Sequence, residues 1–454
     1  MSLFAEGWMS LWGLRKQLPA GPGAIVPGMT ELAPAEPRQR IEAIDTIRGF
    51  ALLGILLLNI LAFGLPFRAY TNPTVDGAVE GIDFGVFFTI ELLFEGSMRA
   101  LFSMLFGVGV AMFATSGKGA AIHYRRQLLL FAFGLVDGFL LLWTGDILTV
   151  YALAGMVLYL CRNWRARSLT IVAGCMFAYL AVFYAASFAM YNYMPDQAAA
   201  AEARIEAAEA PSPQDQAVVD AWSQVEVQLD PPVHLLEREA RKFKGTYAEA
   251  FVANAQELRE LLAWGLPVLF IWDAMACMLL GMVLYRTGVL TGQRSVRFYT
   301  ITAILGFAIG LATNAFELAM KIGSGYAPQW VAGGTVITYD IGRVAMALAF
   351  LSVVMIAYRQ GWFARLRQGL AAVGRMALTN YILQSVFGFL IFRELGLGLW
   401  NDLDRHELYY VVAGQWVVMI VFSLWWLDRY RFGPLEWLWR SLTYGRRQPM
   451  AQPA

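Results

Sequence analysis

Apolar runs close to 20 residues long recur from residue 49 to residue 427, and nothing else in this chain limits its fold so tightly. That length crosses the hydrocarbon core of a bilayer as a helix. With 58% hydrophobic and only 15% charged residues among 454, the sequence describes an all-α, polytopic transmembrane helical bundle. A membrane barrel would show short alternating strands, and the chain has none. The runs place ten spans at about residues 49–66, 98–116, 127–143, 147–161, 169–191, 262–285, 297–318, 336–358, 374–392 and 407–427. A further apolar helix at 83–97 carries Glu91 and Glu95 and reads as interfacial or re-entrant, turning at Gly96 into the second span. Alternate loops collect the Lys and Arg residues, among them Arg125, Arg126, Arg162, Arg165, Arg286, Arg359 and Arg365, which puts both termini in the cytoplasm.

This divides the chain into a Pro- and Gly-rich disordered tail at 1–37, with Met1 and Met29 both available as starts, and a membrane half at 38–191. An acidic extracytoplasmic loop follows at 192–256, then a second membrane half at 257–430 and a cytoplasmic tail at 431–454. The loop reads either as a cap on the bundle or as a linker between its halves. A net charge of +1 says nothing about nucleic acid, and no basic tract suggests it as a partner; the lipid bilayer is the expected one. Cys161, Cys175 and Cys277 lack metal-type spacing and read as small core residues, so no metal is expected. Walker A, Rossmann, HExxH and Gly-x-Ser-x-Gly motifs are absent. His123, His234 and His406 all fall outside the expected spans, with His123 on the cytoplasmic surface.

Polar groups inside a bilayer are costly, so those that occur pair with one another or line a cavity. In "RIEAIDTIRGFALLGILLLNI", Asp45 can pair with Arg48 at i+3, and Asn59 lies eleven residues beyond Arg48. Eleven residues is close to three turns, so Arg48 and Asn59 share one face roughly 16 Å apart. The arrangement is either an anion clamp below a polar site or a charged helix end plus an Asn that ties spans together. Glu95 and Arg99 are spaced for a helical ion pair, with Arg99 a secondary site candidate. Asp137 lies within the third span, where a carboxylate with raised pKa could accept a proton; Asp146 reads as a helix cap or its partner. Asp273 stands in a later span. Asp340 and Arg343 read as a self-neutralising i,i+3 pair. In "GRMALTNYILQS", Arg375 and Thr379, Asn380 and Gln384, and Tyr381 and Ser385 are spaced as a polar stripe on one helix, serving as glue or as cavity lining.

Read together, "RIEAIDTIRGFALLGILLLNI", "FEGSMRALFSMLFGVG", "GDILTVYALAG", "GRMALTNYILQS" and "RFGPLEWLWRSLTYG" resemble the YeiB family of bacterial inner-membrane proteins from residue 38 to about 445. The C-terminal part is similar to that family's domain of unknown function. More distantly, the chain is similar to transmembrane acyltransferases, which move acyl groups from cytoplasmic acyl-CoA to acceptors across the membrane. In those families an Arg is followed at this spacing by a His in the first span; here Asn59 takes that position. The resemblance implies acyl-CoA as a co-substrate bound near Arg48 and Asn59, with no permanently bound cofactor. Asp137 and Asp146 would do proton work on a small-molecule or envelope-glycan acceptor, since an Asn cannot act as a base. Two other functions remain open: a small-solute transporter coupled to protons through Asp137, Asp273 or Glu317, and a non-catalytic binding protein.

Overall fold

Because lipid offers backbone groups no hydrogen-bonding partner, an apolar chain of this kind must satisfy them within helices. The computed structural model describes residues 42–114, 116–207, 212–229, 233–331 and 337–452; the tail expected at 1–37 lies outside them. Among the described residues there are helices and no β-strand. The first helix, α1, spans Glu42–Gly64 and is buried on nearly every face. A short helix α2 (Gly81–Leu93) turns at Gly96, whose φ of +64° suits glycine, into α3 (Ser97–Ala114). Next come α4 (Ala120–Leu135), which widens into a π-helical turn at Val136–Leu140, and α5 (Leu148–Leu158).

The segment expected as an extramembrane loop at 192–256 is largely helical. Helix α6 (Ala166–Ala207) is 42 residues long, about 63 Å at helical rise and so twice the bilayer core. Two more helices, α7 (Pro213–Leu229) and α8 (Val233–Lys244), lead to α9 (Tyr247–Glu260), which runs through a π segment into α10 (Ile271–Arg286). The later helices are α11 (Val296–Gly323), α12 (Tyr339–Gln360), α13 (Ala364–Arg375), α14 (Ala377–Phe392), α15 (Arg405–Arg429) and α16 (Pro434–Tyr444). Seven described helical stretches are long and apolar enough to cross a membrane, and the pair α13–α14, bent by 84°, makes an eighth if counted as one broken span. The two other spans expected from sequence fall on α4 and α5, which are shorter. Exposed Ile301, Ile304, Leu305 and Ile309 on α11, and Val417, Val421 and Trp425 on α15, give the bundle apolar outer faces fit for lipid.

Close approach of backbones holds the centre together. A Cβ on Gly49 would sit 1.9 Å from the Leu370 carbonyl oxygen, and one on Gly374 would sit 1.9 Å from that of Asp45, so only glycine lets α13 cross α1 there. The 84° bend follows at Met376, and it separates Arg375, which ends α13, from Thr379 on α14. The stripe expected to begin at Arg375 therefore begins after it. The exposed amides of the first α14 turn are met from far along the chain: Glu436 of α16 accepts from the Leu378 N–H at 2.7 Å, the Thr379 N–H at 3.0 Å and the Thr379 hydroxyl at 2.6 Å.

One end of the bundle is basic. Contacts there join Arg48 to Gly374, Lys118 to Tyr444, Arg126 to Trp439, Arg286 to Arg162 and Trp164, and Arg359 to Gly292. The distal end is tied by Arg393 to Lys242 and Leu142, Arg405 to Asp76, and Lys321 to Glu91.

Candidate functional site

At the basic end, Arg48 Nη1 contacts Asp45 at 2.6 Å and the Gly374 carbonyl at 3.3 Å. The guanidinium of Arg126, from the first half of α4, lies over the rings of Trp439 (4.4 Å) and Phe113 (5.1 Å). Arg440, Tyr444 and Arg48 act on it. Burial first, then the like charges of the two arginines, holds the Arg126 guanidinium down at about 10. The positive charges of Arg440 and Arg48 thus reach Arg126, and Arg48 is bound to Asp45. Such a cluster attracts a polyanion, and arginine's planar fork suits phosphate oxygens.

Asp137 sits further along α4, in the π turn. Turns of this kind leave backbone carbonyls without their helical partners. Those carbonyls are met from elsewhere: Gly138 O by Asn254 Nδ2 at 2.7 Å, Leu140 O by the Tyr247 hydroxyl at 3.0 Å, and Asp137 O by the Trp143 N–H at 3.1 Å. The backbone is secured while the carboxyl is not. Asp137 is fully buried, and neither carboxylate oxygen has a hydrogen-bond partner among the described residues. Its polar neighbours are Asp146 and Ser385.

Asp146 behaves as a cap, accepting from the Leu148 N–H at 3.0 Å and the Thr149 N–H at 2.8 Å to open α5. Tyr381 stands beside both aspartates and accepts from the Ile147 N–H at 3.0 Å. Tyr381 and Ser385, one turn apart on α14, therefore line this spot. Trp143 covers it, its ring 4.1 Å from that of Phe63 on α1. Asn59 is one turn before Phe63 on the same face, half-buried, and makes no side-chain hydrogen bond among the described residues. Above Trp143 a cavity of about 380 Å³ opens at the distal end, lined by Phe63, Trp143, Gly145, Gly388, Phe389 and Arg393 together with residues of α8 and α9. None of Arg48, Asn59 and Asp137 lines that cavity.

Sequence reading passed over Arg126 and Arg440. A usable signal existed for the first: Arg126 precedes Asp137 by eleven residues, the same step that separates Arg48 from Asn59. Both α1 and α4 thus carry an arginine at the basic end and a polar group three turns further in.

A second polar cluster lies apart, between α2, α3, α10, α11 and α12. Arg343 contacts Asp273, and its Nε contacts Asp340 at 2.7 Å, so the pair expected to neutralise itself is shared with a third residue. Arg99 Nη2 reaches the Tyr339 hydroxyl at 3.1 Å and Asp273 at 3.8 Å. The expected Glu95–Arg99 ion pair is replaced by a bridge, because Gly96 breaks the helix between them: the Tyr339 hydroxyl donates to Glu95 at 3.1 Å, as does that of Tyr70. Lys321 contacts Glu91 at 2.7 Å, and Glu317 accepts from Thr338.

Asn380 and Gln384 tie helices together. The Asn380 amide donates to Ser423 (2.9 Å) and the Val373 carbonyl (3.2 Å), and that of Gln384 to the Leu52 carbonyl (3.1 Å). His123, expected on the surface, is instead buried in α4, stacked on Tyr159 at 4.5 Å and 3.0 Å from the Gly155 carbonyl, because the helix begins earlier than its apolar run. Asp83, Asp404 and His406 place ligand-type atoms within 4.8 Å of one another. They sit at the start of α15, where Asp404 and Glu407 form a capping box and Asp83 accepts from the His406 N–H.

A family model described as "Protein of unknown function (DUF418)" matches residues 284–446. The chain is 32% identical to the uncharacterized protein YeiB of Escherichia coli K12 over 406 residues, 89% of this chain and 96% of that protein. It is 28% identical to the uncharacterized protein YxaH of Bacillus subtilis over 452 residues, 93% of this chain and 99% of that one. An uncharacterized 39.9 kDa protein of Bacillus acidopullulyticus is 27% identical over 418 residues, 91% of this chain and 96% of that protein. No solved structure matches.

Proposed function

The chain belongs to the YeiB family of membrane proteins, and from that premise we propose that it transfers an acyl group from acyl-CoA to a hydroxyl or amine acceptor across a bacterial inner membrane. The observation that carries this reading is the Asp137 carboxyl, buried with no cation beside it, between a cluster of arginines at one end and an open cavity at the other. With the basic end in the cytoplasm, Arg48, Arg126 and Arg440 would hold the phosphates of the donor. The thioester would extend along α1 toward Asn59, whose amide can donate to the acyl carbonyl oxygen. The acceptor would enter from the distal cavity past Trp143. As its oxygen or nitrogen attacks the thioester carbon, its proton passes to Asp137. The C–S bond then breaks, and the departing thiolate takes up that proton. Asp146, held by its capping bonds, keeps the turn before α5 fixed beside Asp137.

Protein in nanodiscs incubated with radiolabelled acetyl-CoA and envelope extract tests this. Label should move to an acceptor, with donor binding weakened in Arg126→Ala and transfer sharply reduced in Asp137→Asn. Absence of both CoA binding and CoA release would sink the reading. A second reading, a proton-coupled transporter of a small solute, is favoured by the buried charge cluster around Asp273. Solute uptake into proteoliposomes that requires Asp273 while acetyl-CoA stays inert would establish it instead.

A further inference from the structure

The cluster around Asp273 holds more acid than base. Its carboxylates are Glu91 on α2, Glu95 in the following turn, Asp273 on α10, Glu317 on α11 and Asp340 on α12; its cations are Arg99, Lys321 and Arg343. Five against three leaves an excess of two negative charges when all are ionised. The other groups facing the cluster do not correct this. Tyr70, Tyr151, Tyr184, Tyr339 and Cys277 are neutral, and Arg405 is matched by Asp76 in a bidentate pair at 2.9 Å.

Two uncompensated charges at low dielectric are costly, and the ordinary remedy is protonation. A separate observation points the same way. Asp340, at 7% exposure, gives Oδ1 to Arg343 while its Oδ2 is buried without a partner among the described residues. An oxygen left so is where a proton can reside. One edge of the cluster is open, since the Arg99 side chain is 38% exposed and Tyr70 and Glu95 beside it are only partly buried.

We propose that this cluster is a proton-binding site, holding protons on its carboxylates at neutral pH and exchanging them at the Glu95–Arg99 edge. It shares no residue with the Asp137 site, so it stands or falls independently of acyl transfer. The test is infrared spectroscopy of the full chain in nanodiscs at pH 7, reading the carbonyl stretch of protonated carboxyls. Glu95→Gln, Glu317→Gln and Asp340→Asn are compared in an Asp137→Asn background, which removes the other buried acid. At least one of the three should lose protonated-carboxyl intensity. That variant should also keep the parent's melting temperature, because an amide imitates a protonated acid. Intensity unchanged in all three overturns the proposal, as does a lower melting temperature or failure to fold in every variant, since ionised carboxylates would then be required. Retention of sodium-22 by the protein, abolished by the same substitutions, overturns it in favour of a metal cation.

Discussion

Two groups of buried acids occupy this bundle, and they are built on opposite plans. Around Asp273, charges of both signs interlock over five helices, and almost every group has a partner. Around Asp137, the carbonyls of the turn are hydrogen-bonded from elsewhere, while the buried carboxyl has no cation beside it, only Ser385 and Asp146. A charge cluster whose members are mostly paired can hold helices in register, and its excess of acid can store protons. A lone carboxyl held on a satisfied backbone gives the fold nothing, and its natural use is toward a molecule that comes and goes. The second plan is the better mark of chemistry, although the first contains many more ionisable residues.

Substitutions can break this contrast. The largest effect is expected at Arg343: Arg343→Met leaves Asp273 and Asp340 facing each other, costing about 3–5 kcal/mol and most of the folded yield in a thermal-melt assay. Asp137→Asn should do the reverse, leaving the melting temperature level or raised while acyl transfer falls on the order of 10²–10⁴-fold. Were Asp137→Asn to unfold the protein, the contrast would collapse. Next, Arg126→Ala should weaken donor binding by roughly 1.5–3 kcal/mol, an effect that shrinks as salt is raised; isothermal titration with acetyl-CoA measures it. Asn380→Leu removes one helix tie and should lower stability by about 0.6 kcal/mol with transfer intact. The smallest effect belongs to Asp215 on α7. The hydrogen bond from Arg204 holds its carboxyl below the ordinary range, so any stabilisation is present at neutral pH and lost on acidification. The pair is exposed, and Asp215→Asn should leave the melting curve at pH 7 unchanged.

The same contrast marks what the sequence discloses. Apolar run length announces a helical membrane bundle, since backbone satisfaction in lipid leaves little choice. The shared face of Arg48 and Asn59 follows from helical period alone, and Asp137 stands out because an acid inside an apolar run is conspicuous. What escapes is tertiary. Arg126 looks like one more loop arginine until Trp439 and Arg440, more than 300 residues later, close over it. The α13–α14 break leaves no local mark except Gly374 beside Arg375, where α13 crosses α1 at close range. Asp340 and Arg343 form a complete pair on paper; only the fold brings Asp273 to the same guanidinium.

The cap that Glu436 places on α14 also has a bearing on how the molecule is made. The amides of Leu378 and Thr379 are synthesised 58 and 57 residues before the carboxylate that receives them. Chains grow from the N-terminus, so α14 enters the membrane with its first turn bare and waits for α16. Until then the crossing of α13 over α1 has no clamp beside it. The helix that arrives last, by the same contacts, also delivers Trp439 and Arg440 to Arg126. A nascent chain would therefore lock its bundle and gather the arginines of its basic end in one closing step.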